Sequence, residues 1–256
     1  METVASRDGT PIAFDRIGEG PPVILVCGGS VSRTDDVPVA QNLATDFTVL
    51  NYDRRGRGDS GDTPPYSIER EIEDIEAMLE AAGGSAHLWG SSSGAVLAML
   101  AAASGLPIAK LALWEPPFIP DGVPKPPADQ VQQYETMVAE GRRGDAVEYF
   151  MSKVVGLPDE MVAGARSQPW WAATEALAHT LAYDARIMSD YTIPTERAAN
   201  VKVPTLVLAG GADMPWMRET AQALADAIPD GQVRLDRKST RLNSSHSRAS
   251  RMPSSA

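Results

Sequence analysis

The chain has 256 residues, of which 43% are hydrophobic and 22% are charged, a composition typical of a globular protein with a sizeable core. Its formal net charge of −11 disfavours a nucleic-acid partner, because phosphate binding needs clustered Lys and Arg. The single cysteine, Cys27, excludes an intrachain disulfide and a cysteine-rich metal cluster.

Eight short apolar or alternating stretches predict β-strands. In chain order the predicted strands are Glu2–Ser6, Pro11–Ile17, Val23–Val26, Phe47–Leu50, Ala86–Trp89, Ile108–Trp114, Thr205–Ala209 and Gln232–Leu235. The first two form a predicted hairpin across Asp8-Gly9, a favoured turn pair. The third is a continuous aliphatic run, which is typical of a strand buried on both faces.

Helical patterns separate several of these strands. The predicted helices run from near Ser67 to Gly83, from Val96 to Gly105 and from Thr220 to Ile228. Regular alternation of strand and helix is typical of parallel strands joined by crossover helices. The pattern therefore predicts an α/β fold, with a mostly parallel sheet and helices on both of its faces.

The alternation stops after Glu115 and resumes only near residue 201. Residues 121–200 are rich in Pro at the start and then show helical patterns with Met, Trp and Ala. We interpret this segment as an inserted helical cap. The chain would then contain a core in two parts, residues 1–120 and 201–235, with the cap between them.

The stretch Gly90-Ser91-Ser92-Ser93-Gly94 lies between a predicted strand and a predicted helix. In that context the pattern G-x-S-x-G forms a nucleophile elbow, a turn so tight that glycines must flank it. The middle serine, Ser92, is then the candidate nucleophile. The backbone N–H of Ser93 can contribute to an oxyanion hole, supported by the helix dipole. The alternative is a Ser- and Gly-rich turn without chemistry.

Several segments resemble successive blocks of the α/β-hydrolase fold, and more narrowly of the bacterial α/β-hydrolase-1 group. They are VILVCGGS, NYDRRGRGDSGDTPPY, LWGSSSGA, LALWEPPF and VPTLVLAGGADMPW. The resemblance runs from the first strand to about Leu235, and the elbow and the loop Asp53–Ser60 are its most specific parts. It implies a serine hydrolase for a small ester or related acyl substrate, with no metal and no organic cofactor.

The resemblance also implies roles for other residues. Gly29 would supply the second oxyanion N–H, and the Cys27-Gly28 that stands where the family often has His-Gly matters little for a backbone donor. Asp213, a few residues past the seventh predicted strand, would be the acid that orients an imidazolium. Glu115, just past the sixth strand, is the competing acid. The alternative roles are a helix cap for Asp213 and an anchor of the cap entrance for Glu115.

A serine hydroxyl needs a base, and in this fold the chain order is Ser, acid, His. His87 precedes Ser92 in the chain and is expected to pack in the sheet. His179 lies in the predicted cap, where packing or exposure to solvent is expected rather than a place in the substrate pocket. Only His246 follows Asp213. Its position in the chain suits a catalytic base, but its surroundings do not.

Residues 236–256 differ abruptly from the rest, because Ser and Arg dominate and no apolar period remains. This composition is typical of disorder. Asp236–His246 and Ser250–Ala256 also match the translation of a common sequencing adapter on both sides of a short index. We therefore interpret the segment as a non-native tail. We expect the chain, truncated near Leu235, to be inactive because its catalytic histidine is missing.

The N-terminus lacks a signal-peptide layout, and the longest apolar stretch, Ala95–Ala103, is too short to span a bilayer. We expect a cytoplasmic protein with a small-molecule substrate and no nucleic-acid or membrane partner. The oligomeric state and the identity of the substrate are not predicted. Cofactor-free haloperoxidation and C–C bond hydrolysis on the same fold stay open. A hydrolase-like protein that only binds a ligand is the alternative from another class.

Overall fold

The computed structural model describes residues 1–210 and 214–236, in which eight strands form one sheet. The strands are, in chain order, β1 (Glu2–Ala5), β2 (Pro11–Ile17), β3 (Pro22–Val26), β4 (Thr48–Tyr52), β5 (Ala86–Ser91), β6 (Ile108–Trp114), β7 (Thr205–Gly210) and β8 (Gly231–Asp236). Their spatial order is β1-β2-β4-β3-β5-β6-β7-β8. β2 is antiparallel to both β1 and β4, and all other neighbours are parallel, so the predicted mostly parallel sheet is confirmed.

Helices accompany the sheet throughout the described residues. They are α1 (Val37–Leu43), α2 (Ile68–Ala81), α3 (Ser93–Ala103), α4 (Gln130–Ala139), α5 (Arg143–Tyr149), α6 (Asp159–Ala165), α7 (Trp171–Ala176), α8 (Leu181–Met188), α9 (Thr195–Ala198) and α10 (Pro215–Ala227). A π-helical turn spans Phe150–Val154 and a 3-10 turn spans Ala178–Thr180. Within the described ranges, no helix combines the length and the apolar character that a membrane crossing requires.

The strand bounds predicted from the sequence differ from the observed ones by at most two residues. The helices differ more. α1 was not predicted, because its seven residues are too few to show a clear helical period, although Val39, Ala40 and Leu43 pack against the sheet. α10 begins at Pro215 rather than at Thr220, since proline fits the first turn of a helix and fixes its start. α3 begins at Ser93, directly after the turn, rather than at Val96.

The largest hydrophobic cluster covers one face of the sheet and surrounds α3. Every residue of α3 from Ser93 to Ala102 is buried, as expected for a helix that is apolar on all sides. The opposite face carries a smaller cluster beneath α1, made of Val23, Leu25, Ala40 and Val49. Helices on both faces of the sheet are therefore confirmed.

Helices α4 to α9 lie between β6 and β7 and form the predicted inserted cap. The cap has a hydrophobic cluster of its own, which includes Tyr134, Met137, Val147, Trp171 and Leu181. Helix α8 joins the two clusters, because Leu181 lies in the cap cluster while Ile187 and Met188 lie in the sheet cluster. The domain boundaries near residues 120, 200 and 235 stay predictions, and residues 237–256 of the predicted tail lie outside the described residues.

Candidate active site

Parallel strands bring three of the candidate residues to one edge of the sheet. Gly29 lies in the loop after β3, Ser92 follows β5, and Glu115 follows β6. Ser91 pairs in register with Trp114, and the Ser92 N–H donates to the Trp114 carbonyl at 2.9 Å. Ser92 and Glu115 therefore lie side by side at the carboxyl ends of the strands, where open α/β sheets bind their ligands.

Ser92 has a backbone conformation that L-residues rarely adopt, with φ 53° and ψ −123°. The flanking glycines leave no room for side chains. A Cβ on Gly90 would lie 2.6 Å from the Gly94 carbonyl oxygen, and a Cβ on Gly94 would lie 2.3 Å from the carbonyl oxygens of both Val26 and Cys27. Both glycines are thus required by the close approach of backbone, and Ser92 stands at the apex of the turn.

The three serines of the turn have different surroundings. Ser91 is buried at the end of β5, and its Oγ has no hydrogen-bond partner among the described residues. Ser93 is buried and donates its hydroxyl to Asp184 Oδ1 at 2.7 Å. Ser92 alone is partly exposed, and no hydrogen bond joins its hydroxyl to a residue in the described ranges. Ser92 is the one of the three that a substrate could reach.

The two proposed oxyanion donors lie close together beside the apex. Ser93 is the first residue of α3, so its backbone N–H has no acceptor within the helix. A Cβ on Gly29 would lie 3.6 Å from Ser93 Oγ and 3.0 Å from Asp184 Oδ2. The Ser93 N–H at the N-terminus of α3 suits a developing negative charge, and Gly29 lies beside it in the loop after β3.

Of the two candidate acids, Glu115 lies near the end of β7. Glu115 is buried with φ 47°, its N–H donates to the Leu208 carbonyl at 2.8 Å, and its Oε1 accepts the Gly210 N–H at 3.1 Å. Gly210 is the last residue of β7, so this carboxylate is held at the strand end that precedes Asp213. Asp213 lies outside the described residues, and the choice between the two acids stays a prediction.

A buried ionic cluster lies behind the elbow, which we call the Asp184 cluster and define as Arg54, Arg57, Glu71 and Asp184. Arg54 donates two hydrogen bonds of 2.7 Å to Glu71 and one of 2.9 Å to Asp184. Arg57 donates to both carboxylate oxygens of Asp184, at 2.9 and 2.8 Å. Two cations face two anions, so the buried charges balance, as buried ions require.

The ionisation of Asp184 follows from these contacts. Burial alone would raise the pKa of its carboxyl group, but the Arg57 and Arg54 guanidiniums and the Ser93 hydroxyl hold that pKa below its usual value. The arginine-rich loop has a structural role, since Arg54, Arg55 and Arg57 are all buried in ion pairs.

Sequence reasoning missed Asp184 itself, which contacts Arg54 across 130 positions of the chain. One signal could have pointed to such a partner. Three arginines close together in a loop that enters an apolar core need buried acids to neutralise them. If too few acids lie nearby in the sequence, a carboxylate from a distant part of the chain is expected.

His87 lies far from the elbow. It occupies the second position of β5, and Ser92 follows five positions later, roughly 16 Å away at the rise of a strand. The His87 ring packs edge-on against Phe47 with centroids 6.0 Å apart. Burial, and to a smaller extent Lys110, lower the pKa of His87. These contacts fit the predicted packing role.

His179 belongs to the 3-10 turn of the cap and makes polar contacts there. Its Nδ1 lies 2.9 Å from an Arg143 guanidinium nitrogen, and its Nε2 lies 3.8 Å from Asp62 Oδ2. Burial and the Arg143 charge lower the pKa of His179. Neither His87 nor His179 is hydrogen-bonded to Ser92 among the described residues, and His246 lies outside them.

Cys27 is the remaining nucleophilic side chain near the site. It is fully buried beneath the loop after β3, and burial raises the pKa of its thiol to about 12. A thiol with that pKa stays protonated at neutral pH and is a poor nucleophile. Cys27 is therefore a small buried residue of the core rather than a second candidate nucleophile.

The sequence of this chain matches a known protein family. A family model described as the alpha/beta hydrolase family matches residues 23–253. The chain belongs to the α/β-hydrolase family. The resemblance inferred from the sequence blocks is therefore confirmed, together with the fold class.

Individual relatives support the same conclusion. A solved α/β hydrolase from Sphaerobacter thermophilus DSM 20745 is 54% identical, with a TM-score of 0.88 and 93% of each chain covered. A solved thermophilic esterase from Thermogutta terrifontis is 26% identical, with a TM-score of 0.68, over 92% of this chain and 89% of that one. The uncharacterized hydrolase YraK of Bacillus subtilis (strain 168) is 35% identical over 95 residues, which are 36% of this chain and 35% of that protein. The match thus spans about a third of the length of YraK.

Proposed function

We propose that this α/β-hydrolase family member is a serine hydrolase that cleaves a small ester or a related acyl substrate, with Ser92 as nucleophile. The conformation of the turn carries the proposal. Ser92 stands at positive φ between two glycines that have no space for a Cβ, and it alone of the three serines is partly exposed. Backbone strain of this kind persists where the surrounding structure enforces it, which is common at catalytic sites.

The proposed reaction is acyl transfer through the Ser92 hydroxyl. Ser92 Oγ attacks the carbonyl carbon of the substrate while a histidine removes the hydroxyl proton. The carbonyl oxygen becomes an oxyanion and accepts hydrogen bonds from the N–H groups of Gly29 and Ser93. The histidine returns the proton to the leaving alkoxide, and water then hydrolyses the acyl-enzyme by the same route. Asp213, with Glu115 as the alternative, orients the imidazole.

The substrate class rests on the family and on one relative. The Thermogutta terrifontis protein, which is 26% identical over most of both chains, is an esterase. Ester hydrolysis by the mechanism above involves only side chains, backbone N–H groups and water, so it needs no cofactor. A small ester is therefore the substrate class that we propose for this site.

The base is the part of this mechanism that the described residues do not supply. His87 and His179 make other contacts, and His246 belongs to the tail with the adapter-like sequence. We propose that the 256-residue chain consequently turns over little substrate. Strong esterase activity of this polypeptide that His246→Ala abolishes would contradict this part of the proposal.

The test is hydrolysis of short p-nitrophenyl esters by the 256-residue chain, with and without imidazole in the buffer. Added imidazole can replace a missing histidine base, so we expect a slow reaction that imidazole accelerates beyond its own background. Ser92→Ala should abolish this excess rate, and Ser91→Ala, the matched control, should retain it. A rate that Ser92→Ala leaves unchanged contradicts the assignment. The absence of any Ser92-dependent rate under either condition would contradict the proposed hydrolase and favour the alternative of a protein that only binds a ligand.

A further inference from the structure

We infer that Asp184 is a positioning residue of the Ser92 site, through which cap helix α8 fixes both halves of the oxyanion hole. The inference rests on the proposed function, because it assigns a role within that site. Asp184 does not touch the reacting atoms, and it acts through Ser93 on one side and through two arginines on the other.

The first connection runs to the elbow. Asp184 Oδ1 accepts the Ser93 hydroxyl at 2.7 Å, across 91 positions of the chain. This bond fixes the side chain of the residue whose backbone N–H is one oxyanion donor. A hydrogen bond to a buried carboxylate is among the stronger ones in proteins, so the first turn of α3 is anchored to the cap.

The second connection runs to the loop that carries the other donor. Arg57 donates to the Gly28 carbonyl and, at 3.3 Å, to the Val31 carbonyl. Arg54 donates to the Cys27 carbonyl at 3.2 Å. These carbonyls flank Gly29 on both sides, so the two guanidiniums hold the backbone around it. Asp184 is the carboxylate that both guanidiniums share.

The position of Asp184 depends on the packing of α8. Asp184 is 6% exposed and stands in the middle of that helix. Its neighbours in the helix pack into two clusters. Ala182 and Ala185 belong to the cap cluster, and Ile187 belongs to the sheet cluster. A shift of the cap would therefore move the carboxylate relative to the elbow and to the loop after β3.

Removing this charge has a definite consequence. The Asp184 cluster then holds two cations and one anion, and Arg57 loses its carboxylate partner among the described residues. A buried unpaired cation draws in water or moves, and the loop carbonyls that it holds move with it. We expect the distance and orientation between the Gly29 and Ser93 N–H groups to vary, while residues that contact only the substrate stay in place.

The test compares Asp184→Asn with Asp74→Asn in the full chain. Asp74 is a matched control, since it is buried and binds Arg55 through two hydrogen bonds of 2.8 and 2.7 Å, yet neither residue contacts the elbow or the loop after β3. Amide hydrogen exchange by mass spectrometry is the readout. Asp184→Asn should speed exchange in segments 27–31 and 92–96 by about tenfold more than Asp74→Asn does, because any general loss of stability is common to both variants.

A milder variant guards against misfolding. Ser93→Ala keeps the backbone N–H and removes the hydroxyl, which donates to Asp184 at 2.7 Å and accepts a long bond of 3.5 Å from Arg54. It should therefore speed exchange in segment 92–96 and leave segment 27–31 protected. Unchanged protection of both segments in Asp184→Asn would overturn the inference. Equal loss of protection in Asp74→Asn would also overturn it, because the effect would then be a general loss of stability.

Ester hydrolysis supplies a second readout. In Asp184→Asn the Ser92-dependent kcat should fall by about 10- to 100-fold with KM nearly unchanged, since displaced donors act on the transition state. A change confined to KM would contradict positioning. The two proposals fail separately: hydrolysis that survives Ser92→Ala removes the proposed nucleophile, whereas full kcat in Asp184→Asn with intact exchange protection removes only the role of Asp184.

Discussion

Arg54 and Arg55 are neighbours in the chain, both are fully buried, and both bind acids, yet they connect different parts of the molecule. Arg54 joins helix α2 and cap helix α8 to the loop after β3. Arg55 joins helix α2 to the N-terminal hairpin, through Asp74 and through Asp8 at 3.0 Å. The same chemistry thus serves the candidate site in one case and only the sheet framework in the other. Burial of an ion pair alone does not reveal which of these two roles the pair has.

The first prediction removes the acid from each pair. Asp184→Ala and Asp74→Ala should each lower the free energy of unfolding by about 3 to 5 kcal/mol, because a buried arginine loses a carboxylate partner. Arg57 loses its ion pair with Asp184, and Arg55 keeps only its pair with Asp8. Urea unfolding followed by circular dichroism measures this. The comparison holds if both proteins lose stability and only Asp184→Ala alters reactivity at Ser92. Loss of reactivity in both would show that the two pairs are equivalent.

The second prediction concerns the contact between the elbow and the loop after β3. Gly94→Ala should lower the free energy of unfolding by about 3 kcal/mol or more, since its Cβ would lie 2.3 Å from two backbone oxygens. Gly105→Ala, just past the end of the same helix α3, is the control. Nothing lies within 4 Å of its Cβ and only its φ of +87° is unfavourable, so about 1 kcal/mol is expected. Equal losses would contradict the close approach.

The third prediction uses pH. The pKa of Asp184 is lower in the folded protein than in the unfolded chain, so its carboxylate adds stability above the unfolded pKa of about 4. That contribution is lost as pH falls through the folded pKa. The stability gap between the wild-type protein and Asp184→Asn should therefore be constant from about pH 7 to 5 and narrow below about pH 4. Urea midpoints across this range test it, and a gap that widens on acidification would be contrary to the account.

The smallest effect is expected at the apex of the elbow. Ser92→Gly should raise the free energy of unfolding by about 1 kcal/mol, because glycine tolerates the φ of 53° that serine does not. Ser91→Gly, in the neighbouring strand position, should lower it by a similar amount. Thermal unfolding distinguishes the two. A destabilised Ser92→Gly would mean that the turn is not strained.

The elements that could be predicted from the sequence are those with a local cause. Strand β3 is a run of aliphatic residues, and the Gly90 and Gly94 spacing identifies Ser92 as the apex, because steric crowding in a turn depends on adjacent residues. Helix α1 spans only seven residues, which is too short for its apolar positions to show a helical period in the sequence.

Asp184 could not be predicted, for a different reason. In LAYDARIM it looks like a solvated acid on an amphipathic cap helix, and its arginine partners lie more than a hundred positions away. Its contacts with Arg54, Arg57 and Ser93 arise only from tertiary packing, and such contacts cannot be inferred from the neighbouring sequence.

The central claim is that Ser92, and neither of its neighbours, is the nucleophile. The most direct measurement is incubation of the chain with a fluorophosphonate in the presence of imidazole, followed by peptide mapping of the adduct. The account predicts a single adduct on Ser92, formed faster with imidazole than without it, absent from Ser92→Ala and retained in Ser91→Ala. An adduct that maps to Ser91 or Ser93, or that persists in Ser92→Ala, would contradict it, as would the absence of any adduct.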